Sequence, residues 1–382
     1  MVSCCAFASM ASMRICDSML PALAADFATT TGRSAQSISA FALAYGILQL
    51  LYGPFGDRYG KVRVIACATL ACTVGSVAAA LSPSLQWLVV SRALSGAAAA
   101  GIIPLTMAWI GDSVAYEGRQ AVLARLLGAT VFGMIAGQWM GGLLAETLGW
   151  RSAFMMLAIV FAACGALLLA REAKARRGEA LHLPIKAGSL TMRLAAVVSA
   201  PWARTVLVVT AIEGALAFST LAFIPSDLHL RFGLSMTSAG ALVALYGVGG
   251  LAYSRAAKPL VQRMGEAGLA RLGALLMAVA FATIAYATSW GWVAAACLVA
   301  GFGFYALHNT LQANATQMAP EARGTAVSLF ATCLFLGQSI GVVGAAWMVD
   351  RFSAPAVFIV SAVGVLLLGF AFATLIQRRR SQ

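Results

Sequence analysis

Long apolar runs, separated by short polar punctuation, organise this chain. Each run is about 20 residues. A helix rising about 1.5 Å per residue needs that length to cross a hydrocarbon layer of about 30 Å. The pattern predicts twelve spans, at about 2–24, 37–55, 64–82, 86–110, 122–145, 152–170, 203–225, 236–256, 268–288, 290–312, 324–348 and 355–376. The short alternating segments that build a β-barrel are missing from the sequence. One long polar stretch, REAKARRGEALHLPIKAGSLTMR from Arg171, divides the spans six and six. The expected architecture is an all-α polytopic membrane protein. It has an N-terminal six-helix bundle at 1–170, a cytoplasmic linker at 171–202 and a C-terminal six-helix bundle at 203–382.

Composition sharpens this reading. Of 382 residues, 61% are hydrophobic and 10% charged, against about 25% charged in a soluble domain. A water-soluble core cannot absorb that much apolar surface, so lipid must solvate it. The opening residues MVSCCAFASM carry no basic region, so the first apolar segment reads as a retained span and not as a cleaved signal. The eight cysteines all lie in apolar segments without metal-ligand or disulfide spacing. They read as small hydrophobes.

The net charge of +13 is unevenly placed. One set of loops, with the central segment and the tail Arg378–Arg380, holds twenty Lys and Arg. The opposite loops hold four: Arg33, Arg151, Arg231 and Arg351. The positive-inside rule then puts both termini and the linker in the cytoplasm. The surplus also favours anionic lipid headgroups. A clustered basic patch interleaved with aromatics, as nucleic acid would require, is missing from the sequence.

The halves repeat. Asp57-Arg58-Tyr59-Gly60-Lys61 aligns with Gln262-Arg263-Met264-Gly265-Glu266. Glu117-Gly118-Arg119 aligns with Glu321-Ala322-Arg323. Gly137-Gln138-Trp139-Met140-Gly141 aligns with Gly337-Gln338-Ser339-Ile340-Gly341. Six spans per half give the halves the same orientation, so a pseudo-two-fold axis would run along the membrane normal. One class of secondary transporter is built this way, with its site between the halves near the midplane.

The stretch GPFGDRYGKVR, residues 53–63, resembles the signature loop between helices 2 and 3 of the major facilitator superfamily. Arg92-Ala-Leu-Ser-Gly96 resembles the helix-4 motif. Gly133, Gly137, Gly141 and Gly142 resemble the helix-5 motif associated with antiporters, and Trp150-Arg151 with Phe154 the start of helix 6. The resemblance covers essentially the whole chain. It is nearest to bacterial drug and sugar efflux permeases of the drug–proton antiporter branch. Two departures weigh against efflux: Gln138 stands where the antiporter motif has Pro, and Ala124 where it has Gly. Gln262 replaces the signature Asp in the second half.

Chemistry gives the loop two readings. Gly53, Gly56 and Gly60 permit a tight turn and close helix approach. Arg58, Lys61 and Arg63 hold it in the cytoplasm. In the family, the loop Asp latches the N-terminal half to the start of helix 11. The resemblance therefore implies that Asp57 docks on the free N–H groups near Pro320–Gly324, and on Arg323. The alternative is a solvated charge cluster that only sets topology.

Ionisable groups inside the bilayer are costly and functional by default. The candidates are Arg14 and Asp17 in span one, Arg92 in span four, Glu213 in span seven, and His308 with Asn309 in span ten. In this family those four spans line the central cavity. Arg14 and Asp17, three residues apart, share a helical face. Asp17 either neutralises Arg14 or binds a proton or cationic substrate, and Arg92 is a second expected partner for Asp17. Glu213 has no charged neighbour close in sequence, which suits a proton carrier. Asp17, Glu213 and Arg92 are the proton-coupling candidates. Arg14, His308, Asn309, Gln312, Gln138 and Gln338 are the substrate-cavity candidates. Gly133, Gly137, Gly141 and Gly142 form a small-residue packing face.

The function expected is proton-coupled export of a small organic molecule, drug or sugar-like, by alternating access. The partners are the substrate, the proton and lipid, and the working unit is a monomer without cofactor. An uptake permease of the same fold is the alternative, and a non-transporting membrane sensor a weaker one. The sequence has no HExxH, no metal-ligand cluster, no nucleophile motif and no P-loop, so neither an enzyme nor an ATP-driven pump is expected.

Overall fold

The structure, a computed structural model, describes residues 1–175 and 190–380. It is all-helical across those residues. The elements are α1 (Val2–Arg14), α2 (Leu20–Asp26), α3 (Thr31–Ser34), α4 (Gln36–Tyr59), α5 (Lys61–Ala80), α6 (Leu85–Ala99), α7 (Ile102–Ser113) and α8 (Tyr116–Thr147). They continue with α9 (Trp150–Ala175), α10 (Leu190–Ser199), α11 (Pro201–Phe232), α12 (Met236–Tyr286), α13 (Trp290–Ala315), α14 (Arg323–Arg351) and α15 (Ala354–Arg380). Among the described residues, ten helices are long and apolar enough to cross a membrane.

Three differences from the twelve-span expectation have local causes. The first apolar run is two helices, because the backbone turns through Ile15–Met19 between α1 and α2. Pro21 lacks the N–H that would reach the Asp17 carbonyl, and its ring crowds that carbonyl. The turn closes with short bonds from Asp17 N–H to Arg14 O and from Met19 N–H to Cys16 O, both 3.2 Å. The fourth run breaks between α6 and α7 in the same way, with Pro104 four residues beyond Ala100. The Tyr52 hydroxyl, 3.0 Å from the Ala97 and Ala98 carbonyls, serves the acceptors freed there. Runs eight and nine follow one another without an intervening loop: the α12 range holds two helices that meet at Gly265, where the backbone leaves helical geometry (φ 63°, ψ −177°). The left-handed φ falls on a residue without a Cβ, where it is unstrained.

The expected linker lies partly outside the described residues. Of its described part, 171–175 continue α9, and Leu190–Ser199 form α10.

Small residues bring backbones together. A Cβ added at Gly133, Gly137 or Gly141 of α8 would strike the carbonyls of Phe7, Ala11 or Ile15 along α1 and its end. A Cβ at Gly337 or Gly341 of α14 would strike Ala211 or Ala215 of α11. Gly96 meets Phe41, and Gly301 meets Tyr246, in the same manner. Two further close approaches join the chain's halves. The α4–α14 contact includes Gln49 donating to Thr332 Oγ1 at 3.1 Å and Ser339 donating to the Ser39 carbonyl at 3.0 Å. In the α8–α12 contact, Gly142 lies against the Met236 backbone and Gly240 against that of Gln138.

Candidate functional site

Two carboxylates, Asp17 and Glu213, are fully buried, each against one basic side chain. In the first pair, Arg14 Nη1 is 3.3 Å from Asp17 Oδ2, and both side chains are excluded from solvent. Pro21 fixes the turn that carries Asp17 out of α1. The same carboxylate oxygen accepts from Gln138 Nε2 at 3.3 Å. Gln138 is thereby a partner of Asp17, held by a hydrogen bond of 2.6 Å from Ser18 Oγ to its own backbone carbonyl. A proline at that position would lack this side-chain amide.

In the second pair, His308 of α13 places Nδ1 2.9 Å from Glu213 Oε2 of α11. Glu213, isolated in the sequence, therefore has a titratable partner in space. His308 stacks on Phe304 at 5.0 Å between centroids and lies 5.3 Å from Phe330.

Aromatic rings connect the pairs. The Arg14 guanidinium lies 4.4 Å over the Phe218 ring, a geometry in which the ring quadrupole attracts the cation. Phe218 is 5.4 Å from Phe304, which stacks on His308. Among the described residues, Arg14 Nε, Asp17 Oδ1, Glu213 Oε1, the Tyr246 hydroxyl and both amide atoms of Gln338 are buried without a hydrogen-bond partner. Leaving a buried polar atom unmade costs about 1–3 kcal/mol.

Among the described contacts, no direct hydrogen bond or ion pair joins Arg92 to Asp17. Its guanidinium donates to the Ser12 carbonyl at 2.7 Å, Ser12 Oγ at 3.1 Å and the Ser37 carbonyl at 3.4 Å, and it lies 4.3 Å over Phe41. It ties α6 to α1 and α4. Asn309 is half-buried, and Gln312 is exposed near the end of α13.

The loop at 53–63 is engaged locally. Gly60 adopts φ 91° between α4 and α5, the region glycine tolerates. Asp57 Oδ1 is 3.3 Å from Lys61 Nζ, which also binds Asp112 Oδ2 at 2.5 Å. Arg58 lies 5.2 Å over Tyr59. Among the described contacts, none joins Asp57 to Arg323 or to the start of α14. Gly53 and Gly324 have open space where a Cβ would stand.

Sequence reasoning passed over several charged groups. Asp227, buried near the end of α11, pairs with Arg231 at 2.9 Å, and Arg231 donates to the Ile284 and Ala285 carbonyls that end α12. Asp26 binds Arg151 at 2.8 Å and the Trp150 indole at 3.1 Å. Glu146 and Asp350 reach across to facing helices. All sit near span ends, where a search confined to the bilayer centre does not look.

Known proteins share this architecture. The family model described as Major Facilitator Superfamily matches residues 2–342 and 206–382. An MFS-type transporter of Bacillus subtilis, YceJ, is 24% identical over 332 residues, covering 85% of this chain and 82% of that protein. Shorter matches include the puromycin resistance protein pur8 of Streptomyces alboniger, 32% identical over 43% of this chain and 33% of that protein. The multi-drug resistance efflux pump PmrA of Streptococcus pneumoniae is 31% identical over 32% of this chain and 30% of that protein. Among solved structures, the nucleoside transporter NupG superposes with a TM-score of 0.78 at 15% identity, over 98% of each chain. A POT peptide transporter gives 0.76 at 15% identity, over 99% of this chain and 93% of that one.

Proposed function

This chain belongs to the Major Facilitator Superfamily of transporters, and from that premise we propose that it is a proton-coupled secondary active exporter of small organic molecules, drug or sugar-like, working by alternating access. The observation that carries the proposal is the pair of buried carboxylates, Asp17 and Glu213. Each has a basic side chain within 3.3 Å of one oxygen and no hydrogen-bond partner on the other. A carboxylate in that setting exchanges a proton for a substrate group without leaving a bare charge in lipid.

The working architecture is twelve crossings in two six-helix bundles, 1–170 and 203–382, joined by the linker 171–202 and related by a pseudo-two-fold axis along the membrane normal. Three features support it. Helix α12 would run about 75 Å if straight, too far for one crossing, and its bend at Gly265 suits a reversal between two. Helices α1 and α2 together make the first, interrupted crossing. The α1–α8 contacts recur between α11 and α14.

In this reading Asp17 and Glu213 carry protons, and Arg92 positions α1 beside them. Arg14, Gln138, His308, Asn309, Gln312 and Gln338 face the substrate. Gly53, Asp57, Arg58, Gly60, Lys61 and Arg323 act as a cytoplasmic latch that engages in the opposite conformation. Gly133, Gly137, Gly141 and Gly142 are the packing face on which the helices move. The distribution of Lys and Arg supports cytoplasmic termini, and the bacterial relatives support a bacterial inner membrane. The protein acts as a monomer in lipid, as a transporter and not an enzyme, without cofactor or nucleic acid. The names of pur8 and PmrA support export. Gln138 in place of the antiporter proline favours the second reading, uptake by the same fold.

The test is transport in inverted vesicles, followed with a pH dye against a panel of drugs and sugars. Wild type is expected to dissipate the proton gradient with at least one substrate, and Glu213→Gln or Asp17→Asn to abolish this. If substrates move without protons, or neither carboxylate matters, proton-coupled export is wrong.

A further inference from the structure

Two carboxylates close the end of the molecule remote from Asp57 and Arg323. Asp350 stands in the last turn of α14. One oxygen accepts the Thr30 hydroxyl at 2.6 Å, and the other accepts the Gly32 N–H at 3.0 Å. Thr30 caps α3, so the Gly32 N–H is one of the donors that a helix start leaves unsatisfied. Glu146 stands in the last turn of α8. Its Oε2 accepts the Thr237 hydroxyl at 2.5 Å and the Thr237 N–H at 3.1 Å, in the first turn of α12. In each case a carboxylate at the C-terminal end of one helix grips a threonine hydroxyl and a first-turn N–H of the facing helix. The positive end of the helix dipole favours an anion at that point.

The correspondence extends to position. Asp350 follows Glu146 by 204 residues, and Thr237 follows Gly32 by 205. The repeat motifs Asp57/Gln262 and Glu117/Glu321 have the same spacing. Each grip joins a residue before the linker to one after it, in opposite senses. Packing agrees with the polar contacts. A Cβ at Gly32 would strike Asp350 and the Ala346 carbonyl, and one at Gly142 the Met236 carbonyl, whereas Gly53 and Gly324 at the other end face open space.

We propose that Glu146 and Asp350 are matched latches that hold this end of the pathway shut, and that both release before the halves part there. The proposal rests on the alternating-access reading but needs neither the direction of transport nor the coupling ion. Both carboxylates are exposed, so each is hydrated on release instead of being stranded in lipid. Exposure also limits each latch to roughly a tenfold bias between closed and open.

The test is electron-resonance distance measurement in lipid nanodiscs, on protein with its native cysteines replaced. Labels at Arg33→Cys and Ser353→Cys report this end, and labels at Arg58→Cys and Gly324→Cys the other. Wild type is expected to give a short distance at the first pair. Glu146→Gln and Asp350→Asn are each expected to raise the long-to-short ratio about tenfold, and together about a hundredfold, since distant sites add. The second pair should shorten in step. Unchanged distributions at both ends in the double variant would overturn the proposal. If the double variant does not fold, the single variants decide, because unchanged distributions in both singles overturn it equally. No substrate is added, so the outcome is independent of whether proton-coupled export holds.

Discussion

Glu213 and His308 are 95 residues apart in the chain and 2.9 Å apart across α11 and α13. They form the one contact in the central cluster that joins two titratable side chains of different helices. Replacing His308 with Ala leaves both Glu213 oxygens unpartnered in a buried setting, at a cost of about 1–3 kcal/mol. Glu213→Gln keeps a hydrogen-bonding group and costs less. The double-mutant cycle in detergent unfolding should give a coupling of about 0.5–3 kcal/mol. Strict additivity would mean the pair does not interact.

Glycine substitutions should separate packed from open positions. Gly137→Leu must push α8 off the Ala11 carbonyl, and Gly337→Leu must push α14 off Ala211. Overpacking of this kind costs about 1–3 kcal/mol or more. A Cβ at Gly344 meets nothing within 4 Å, so the melting temperature of Gly344→Leu in detergent should not fall below wild type. Equal losses at all three positions would show that these backbone contacts do not set the effect.

Tyr52→Phe removes only a hydroxyl. That hydroxyl serves two carbonyls at the α6–α7 break, so the loss should be about 0.5–1.5 kcal/mol. Amide exchange around 97–104 is expected to rise, because the break then lacks its polar brace. Exchange unchanged there would mean the carbonyls are served otherwise.

Arg92→Lys is not conservative here. The guanidinium reaches Ser12 and Ser37 together and covers Phe41, and an ammonium cannot reproduce that fork. A loss of about 2 kcal/mol or more in unfolding stability is expected. If Arg92 instead acts on Asp17 electrostatically, Lys would retain both stability and proton coupling, and vesicle assays beside melts tell these apart.

Hydrophobic run length was enough to read an all-helical membrane protein, because lipid solvation leaves helices few alternatives. The repeat and the 53–63 motif pointed to the family for a related reason, since both are local patterns. The breaks at Ile15–Met19 and Ala100–Gly101 were written in Pro21 and Pro104, but apolar averaging passes over a single ring. The Glu213–His308 contact was not readable, because only folding brings residues of different helices together. The direct contacts of Arg92 were hidden for the same reason: its carbonyl acceptors on α1 and α4 have no signature in side-chain identity. Glu146 and Asp350 had a usable signal, acidic residues one repeat apart at the ends of corresponding helices.

The contact between α1 and α8 bears on how the chain is made. Arg14 and Asp17 leave the ribosome well before Gln138, which binds Asp17 and lies 121 residues later. At a translation rate of about 5–20 residues per second, that gap is roughly ten seconds. Through that interval the opening segment holds two charges with neither the glutamine nor the glycine face that will receive them. Its placement in the bilayer is provisional until α8 arrives, so a segment synthesised well before α8 is secured only by it.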